Sequence, residues 1–258
     1  MIDLHTHILA GVDDGSRSLE ESAAILRSME AKGVKKVAAT SHYPLYNDKD
    51  YLNLIQEKID ILQKKAAETG LDIEILSGSE ILIDRDTAEA LYKEELLTLN
   101  NTDYILLETR LNKLPSYFEN LVHDIRAMGY QIIIAHPERY TYIQKDYQKL
   151  YRWVEDFELK LMLNSSSLLG KHGSKAEETA EKILELGLVQ LMASDTHRMT
   201  KRSFTLDQGL KEAESLKSGS YQLFIDNARA VISNQPLKSM EIKREEPSLV
   251  NKIFSFIK

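Results

Sequence analysis

Two histidines and three aspartates crowd the first fourteen residues, Met1-Ile-Asp-Leu-His5-Thr-His7-Ile-Leu-Ala-Gly11-Val-Asp13-Asp14. Ile2 and Leu4 alternate with polar neighbours over a run too short for a helix, so the segment reads as a strand ending at His5. Side chains two apart on a strand share a face, and His5 and His7 can therefore converge on one spot. Two imidazoles there, followed by a Gly11 turn and two carboxylates, make a set of N and O donors suited to a divalent ion. By itself His-x-His is an unspecific pattern, equally compatible with a pair of surface histidines, so its weight depends on what the rest of the chain brings to the same place.

The elements that must do the positioning follow from periodicity. Ser18 and Glu21 have the form of a capping box, and Leu19, Ala23, Leu26 and Met29 recur at helical spacing up to Gly33. Residues 35–41 then read as a strand delivering His42. A helix carrying Leu52, Ile55, Ile59, Leu62 and Ala66 closes at Gly70 and leads to a strand at 73–76, which runs into Gly78-Ser79-Glu80. A helix near 84–95 precedes the strand 104–107, ending at Glu108. A helix with Phe118, Leu121, Val122 and Ile125 leads to 131–134, ending at His136-Pro137-Glu138-Arg139. Residues 146–157 precede the strand 160–163 and Asn164. A helix at 175–186 precedes 189–192 and Asp195-Thr196-His197.

Seven strands alternate with helices, and nearly all are apolar on both faces, the mark of a buried parallel sheet. The expected fold is α/β, a distorted TIM-like (β/α)7 barrel. His5, His42, Glu80, Glu108, His136, Asn164 and Asp195 each fall at or just past the C-terminal end of a strand, and in such a barrel those ends share one rim. Seven recurrences at equivalent positions point to a polynuclear metal site. The barrel domain is expected over residues 1–237, with 206–216 and 226–232 as peripheral helices. Residues 238–258 read as a linker and a short amphipathic tail, with Leu249, Val250, Ile253, Phe254 and Ile257 on one face, docking on the barrel.

Bulk properties narrow the function. The 258 residues carry a formal charge of −7 and no dense basic stripe, which argues against a protein tracking a nucleic-acid backbone. No apolar run approaches the ~20 residues of a membrane helix, and no export signal is visible, so a cytoplasmic protein is expected. The chain has no cysteine, which removes disulfides, thiolate metal sites and cysteine nucleophiles. Any metal must be held by imidazole and carboxylate, which suits Mn, Fe or Zn. The sequence carries no sign of a particular oligomeric state.

Five histidines and four or five carboxylates are too many for one tetrahedral ion and suit two or three ions sharing bridging carboxylates. Hydrolysis of a phosphate ester is the reaction implied, with amide or lactone hydrolysis as its competitor. Arg139, three residues after His136, and Arg202, five after His197, favour the phosphate because a guanidinium fork grips two of its oxygens. The alternative for each is a surface ion pair, with Glu138 or with Asp207.

These residues resemble a known family. His5-Thr6-His7, Thr40-Ser41-His42, Glu80, Glu108, His136-Pro137-Glu138-Arg139 and Ser194-Asp195-Thr196-His197 resemble the polymerase and histidinol phosphatase (PHP) family. With Met1-Ile-Asp-Leu, Val12-Asp-Asp-Gly15 and Tyr140 added, they are most similar to its bacterial branch of manganese-dependent protein tyrosine phosphatases, encoded with capsule and exopolysaccharide genes. The similarity spans about Met1 to Leu237. It implies up to three Mn2+ ions, with Fe, Zn or Mg as alternatives. His5, His7, Glu80 and Asp195 would hold one, Glu80, Glu108 and His136 a second, and Asp14, His42 and His197 a third, with Asp13 as the alternative to Asp14. Arg139 and Arg202 match the phosphate-binding arginines. The loop after His42, Tyr43-Pro-Leu-Tyr-Asn47, lacks the second histidine often found there.

The mechanism the resemblance implies is attack on phosphorus by a metal-bridging hydroxide, with Arg139 and Arg202 holding the equatorial oxygens. The tyrosine phenolate, of conjugate-acid pKa ~10, leaves with modest help, and His42 or His197 could supply a proton. The implied substrate is the tyrosine-rich tail of a partner kinase controlling polysaccharide assembly, with no nucleic-acid partner. The rival functions are a small-molecule phosphatase of the same fold, acting on a compound such as histidinol phosphate, and a catalytically idle metal-binding regulator of the kinase.

Overall fold

A computed structural model of the chain describes residues 1–43 and 49–244. The loop that follows Tyr43 and the amphipathic C-terminal tail expected from the sequence lie outside these residues. Strands and helices alternate as β1 (Ile2–Thr6), α1 (Leu19–Ala31), β2 (Lys36–Ala39), α2 (Lys49–Glu68), β3 (Glu74–Ser77), β4 (Glu80–Leu82), α3 (Thr87–Tyr92), β5 (Tyr104–Glu108), α4 (Phe118–Ala127), β6 (Gln131–Ala135), α5 (Thr141–Lys145), α6 (Lys149–Glu155), β7 (Lys160–Asn164), α7 (Ser165–Leu168), α8 (Ser174–Glu185), β8 (Leu191–Ala193), α9 (Leu206–Leu216) and α10 (Ser220–Ile232).

Every ladder among the described residues is parallel, in two sheets ordered β1-β2-β3 and β4-β5-β6-β7-β8. Single hydrogen-bonded bridges join them. His7 N donates to Thr196 O (2.8 Å) and Asp195 N to His5 O (2.9 Å) on one side; Glu80 N donates to Ser41 O (3.2 Å) and Tyr43 N to Glu80 O (3.0 Å) on the other. The result is a distorted parallel barrel. The strand expected at 73–76 proves to be the first half of a bent pair. At Gly78-Ser79 the chain leaves β2 and, as β4, takes β5 as its neighbour. A Cβ on Gly78 would lie 3.0 Å from Leu99 and 3.1 Å from Thr40, so the bend favours glycine.

Alternation along the strands separates two cores. Leu4, Ala38, Leu76, Tyr104, Leu106, Ile133, Ala135, Met162, Leu191 and Ala193 fill the barrel interior, plugged by Ala228 and Val231 of α10. The opposite-parity residues, such as Ile105, Leu107, Ile132 and Ile134, pack outward under the helices. This two-sided burial is why the strands read as unbroken apolar runs.

Local signals account for the helix ends. Ser18 accepts from Glu21 N (3.2 Å), while Glu21 reaches back to Arg17 N (3.0 Å), one residue beyond the usual box partner. The last helix begins six residues earlier than expected, because the Glu214 carboxylate accepts from Gly219 N (3.0 Å) and Tyr221 N (2.9 Å) and so caps it. α3 is shorter than expected, since Asp84 Oδ1 accepts from Asp86 N and Thr87 Oγ1 and holds a turn before it. The stretch 233–244 has no regular structure, yet it is pinned to the end of the barrel opposite the rim. Asn227 exchanges hydrogen bonds with the backbone of Lys238 (both 2.9 Å), and Lys243 N donates to Leu186 O (2.9 Å).

Candidate metal centre

Continuing the interior alternation past each strand end places the polar residues. His42 follows Ala38 by four, Glu80 follows Leu76 by four, and Glu108, Asn164 and Asp195 each follow an interior residue by two. All five are therefore carried inward at the rim. His136 has the wrong parity, and it adopts a left-handed backbone (φ 35°) that turns it back toward the centre. Asp195 (φ 53°) and Arg202 (φ 55°) are left-handed too. Such conformations cost roughly 1 kcal/mol or more for residues with a Cβ and persist where the surroundings enforce them.

Glu80 is the hub, and it is 1 % exposed. Its Oε2 lies 3.2 Å from His5 Nε2, 3.2 Å from His7 Nε2 and 3.2 Å from His42 Nδ1, while its Oε1 lies 2.8 Å from His136 Nε2. Glu108 faces His42 Nδ1 (3.3 Å) and His136 Nε2 (3.9 Å). Among the described residues, three groups have ligand atoms within 4.8 Å of one another: His5, His7 and Glu80; His42, Glu80 and Glu108; and His7, Asp14, His42 and His197. The second group differs from the expected one in having His42 beside Glu80 and Glu108. A neutral imidazole has one lone-pair nitrogen, so His42, with Nδ1 toward Glu80 and Nε2 toward Asp14 (3.6 Å), can serve one ion only.

The residues that aim these donors are as informative as the donors. Asp13 is turned away from the cluster centre. Its Oδ2 accepts from His7 Nδ1 (2.7 Å) and His42 N (3.1 Å), and its Oδ1 from Gly15 N (2.8 Å). That contact commits Nδ1 of His7 and leaves Nε2 to face Glu80. Gly15 allows the approach: a Cβ there would sit 2.1 Å from His7 O. Asp14, 60 % exposed at its side chain, is the aspartate that faces the Nε2 atoms of the cluster, with Oδ1 3.2 Å from His197 Nε2 and 3.6 Å from His42 Nε2. His197 Nδ1 contacts the Asp195 carbonyl (3.0 Å), which turns its Nε2 toward Asp14 and toward Arg202 Nη1 (2.6 Å).

Asp195 is divided in use. Oδ2 accepts from Arg139 Nη1 (2.8 Å), Asn164 Nδ2 (2.9 Å) and Arg202 Nη2. Oδ1, equally buried, has no hydrogen-bond partner among the described residues and lies 3.6 Å from His5 Nε2 and 3.5 Å from His7 Nε2. Neither arginine makes the surface pair considered for it. Glu138 is buried against Ser167 and Asn164, and Asp207 faces Lys32.

Electrostatics follow from this crowding. Burial disfavours charge on His7, yet the carboxylates of Asp13, Asp195 and Glu80 outweigh it and hold the imidazole well above its ordinary range. Burial would raise Glu80 and Asp195, but His5 and the other cations around them keep both carboxyls well below theirs. His197 is pushed down to about 3 by burial and the charge on His7. Lone pairs drawn this close need shared protons or a cation to hold them, and the bare Oδ1 of Asp195 is an oxygen that no donor among the described residues hydrogen-bonds. The donor set, imidazole and carboxylate without sulfur, fits divalent ions of the Mn, Fe or Zn kind.

Sequence reasoning gave no task to Asn164, which braces Asp195, and it missed His172. His172 Nε2 contacts Ser166 Oγ (2.8 Å), which in turn bonds Asn164 Oδ1 (2.8 Å), and burial with the nearby Arg139 charge lowers the imidazole to about 4. Nothing in the spacing of His172 marks it.

Known proteins resemble this chain in sequence and fold. A family model described as capsular polysaccharide synthesis, CpsB/CapC, matches residues 1–233. The chain is 32 % identical to tyrosine-protein phosphatase YwqE of Bacillus subtilis, over 99 % of this chain and 100 % of that one. It is 32 % identical to tyrosine-protein phosphatase CpsB of Streptococcus pneumoniae, over 91 % and 99 %. A solved structure from work on these two proteins, described there as unique metal-dependent tyrosine phosphatases, superposes with a TM-score of 0.89 at 30 % identity, covering 96 % of this chain and all of that one. The chain belongs to the CpsB/CapC family of capsular polysaccharide synthesis proteins.

Proposed function

We propose that this chain is a metal-dependent protein tyrosine phosphatase. Its ions are Mn2+, up to three per chain, and its substrate is phosphotyrosine on a bacterial tyrosine kinase that governs capsule or exopolysaccharide synthesis in the cytoplasm. The tyrosine phosphatases YwqE and CpsB, similar over nearly the whole chain, support the activity. The observation that carries it is the division of Asp195, with one oxygen bare beside His5 and His7 and the other gripping two guanidinium groups. Cation sites and phosphate-binding groups thus meet on one carboxylate.

His5, His7, Asp14, His42, Glu80, Glu108, His136, Asp195 and His197 would hold the ions. Bound divalent ions supply Lewis acidity and a water-derived nucleophile at neutral pH. Arg139 and Arg202, 17 % and 25 % exposed at their side chains, lie at the rim and hold a phosphoryl group's equatorial oxygens through the N–H groups that Asp195 leaves over. Asp195 and Asn164 fix the two forks relative to each other before substrate arrives, which lowers the cost of orienting it. A tyrosine phenolate, with conjugate-acid pKa ~10, leaves without a strong general acid.

The test is turnover of a phosphotyrosine peptide and of histidinol phosphate by the same preparation, with its metal content measured. Expected are preference for the peptide, loss of activity in chelator and recovery with Mn2+. Activity that survives complete metal removal, or a large preference for histidinol phosphate, would overturn the reading.

A further inference from the structure

Beside the rim, between β4 and α3, lies a cavity of about 360 Å3 lined by Ile81, Leu82, Ala90 and Leu96 together with the carboxylates of Asp84, Asp86, Glu89 and Glu95 and the ammonium of Lys93. Tyr43, next to His42 in sequence, is part of its lining. Four acids against one lysine leave a formal charge of −3, and Lys93 is drawn to Glu89. The distinctive group is Glu95. It is 6 % exposed, and its Oε2 is buried with no hydrogen-bond partner among the described residues. A buried unpaired carboxylate oxygen is costly to maintain, which makes it a place where a cationic ligand would be repaid.

We propose that this cavity receives the side chain of a lysine or arginine flanking the phosphotyrosine of the substrate. The proposal rests on the phosphatase reading above. Apolar walls suit the methylene stem of such a residue and the carboxylates suit its head, the division of contacts that long cationic side chains make. A metal ion is the wrong occupant: the three groups of close-set ligand atoms among the described residues include none of these four acids. Position supports a substrate contact. β4 leaves the rim directly after Glu80, and two strand residues carry the chain roughly 7 Å, so Leu82 and the residues after it stand within one to three peptide units of a tyrosine bound at the centre.

The experiment compares kcat and KM of the full metal-loaded chain on two phosphotyrosine peptides of equal length, one with lysines and one with glutamates at the two positions on either side. The lysine peptide is expected to have kcat/KM about tenfold higher or more, carried by KM. Glu95→Gln should remove most of that preference and leave turnover of p-nitrophenyl phosphate unchanged. Should Glu95→Gln fail to fold by its melting curve, Asp86→Asn, at an exposed position, tests the same claim by a smaller loss of preference. Equal kcat/KM for the two peptides overturns the subsite while the phosphatase reading stands, as does a preference that persists undiminished in the folded variants. Failure of both peptides while histidinol phosphate is turned over overturns the phosphatase reading, and the subsite with it.

Discussion

Asp13→Asn tests whether the centre depends on groups behind its donors. The side chain gains no volume and loses one acceptor, yet all of its contacts are with donors: His7 Nδ1 (2.7 Å), His42 N (3.1 Å) and Gly15 N (2.8 Å). An asparagine must turn its NH2 either toward Gly15 N or toward His7 and His42 N, so one donor faces another in either orientation. With the NH2 toward the ring, His7 can accept only by moving its proton to Nε2, the atom that faces Glu80. A lost partner of a buried group costs about 1–3 kcal/mol. Removing the carboxylate behind a ligating histidine typically weakens metal binding about 10–100-fold, or about 1.4–2.7 kcal/mol.

The assay is competition with a chromophoric chelator on the metal-free protein, with circular dichroism to confirm the fold. Asp13→Asn should release metal at chelator concentrations about one to two decades lower than wild type and lose turnover in parallel at limiting metal, with activity partly restored by excess Mn2+. Asp14→Asn at the half-exposed neighbour removes a donor and leaves the orientation of His7 intact, so excess metal should rescue it poorly. Wild-type affinity and full turnover in Asp13→Asn would refute the reasoning, because the ring would then be aimed by something other than this carboxylate.

Two further outcomes follow from the same geometry. Arg139→Ala and Arg202→Ala should each lower kcat/KM on a phosphotyrosine peptide by about 10²–10³ with metal content retained. The double variant should lose less than the product of the two, since both guanidiniums lean on Asp195 Oδ2; strict additivity would show that they act apart. In metal-free protein, Asp3 is raised to about 6 by burial, against an ordinary value near 3.8, so its contribution to stability is full below about 3.8 and is lost as pH rises through about 6. Asp3→Asn should therefore melt above wild type at pH 7 by up to about 2–3 kcal/mol, with the gap closing by pH 4, and a gap independent of pH would refute the assignment.

Most of the barrel was legible because two-sided burial writes each parallel strand as an apolar run, and because the residue two places past an interior position must also face inward. That rule suffices for Glu108, Asn164 and Asp195. It fails at His136, whose inward aim depends on a left-handed backbone that no pattern announces. It fails also at the bend after β3, where Gly78 marks a turn without revealing that the chain changes partners there. The choice between Asp13 and Asp14 could not be made from spacing, since adjacent carboxylates differ only in which way the loop turns them. In the fold, Gly15 brings the loop against His7 and decides the matter. The division of Asp195 between the arginines and a bare oxygen is a tertiary fact, assembled from β7, β8 and the loops that follow β6 and β8.

Charge balance adds one consequence. Asp13, Asp14, Glu80, Glu108 and Asp195 against Arg139 and Arg202 leave a formal charge of −3 when all imidazoles are neutral, as metal ligation requires; without metal the proton held on His7 makes it −2, still negative. A phosphate monoester dianion approaching that rim meets net repulsion, and within ~4–6 Å in a partly buried site each unscreened charge matters at the scale of a kcal/mol or more. Two divalent ions bring the count to +1 and three to +3. The arginines alone thus do not make a phosphate site, because both are held by a carboxylate that the ions would have to share. Metal-free protein should consequently show no measurable binding of inorganic phosphate by calorimetry, whereas protein loaded with Mn2+ should bind it and be inhibited by it. Tight phosphate binding in the presence of chelator would mean that the two guanidiniums are free to grip an anion without the cations, and the shared role given to Asp195 would be wrong.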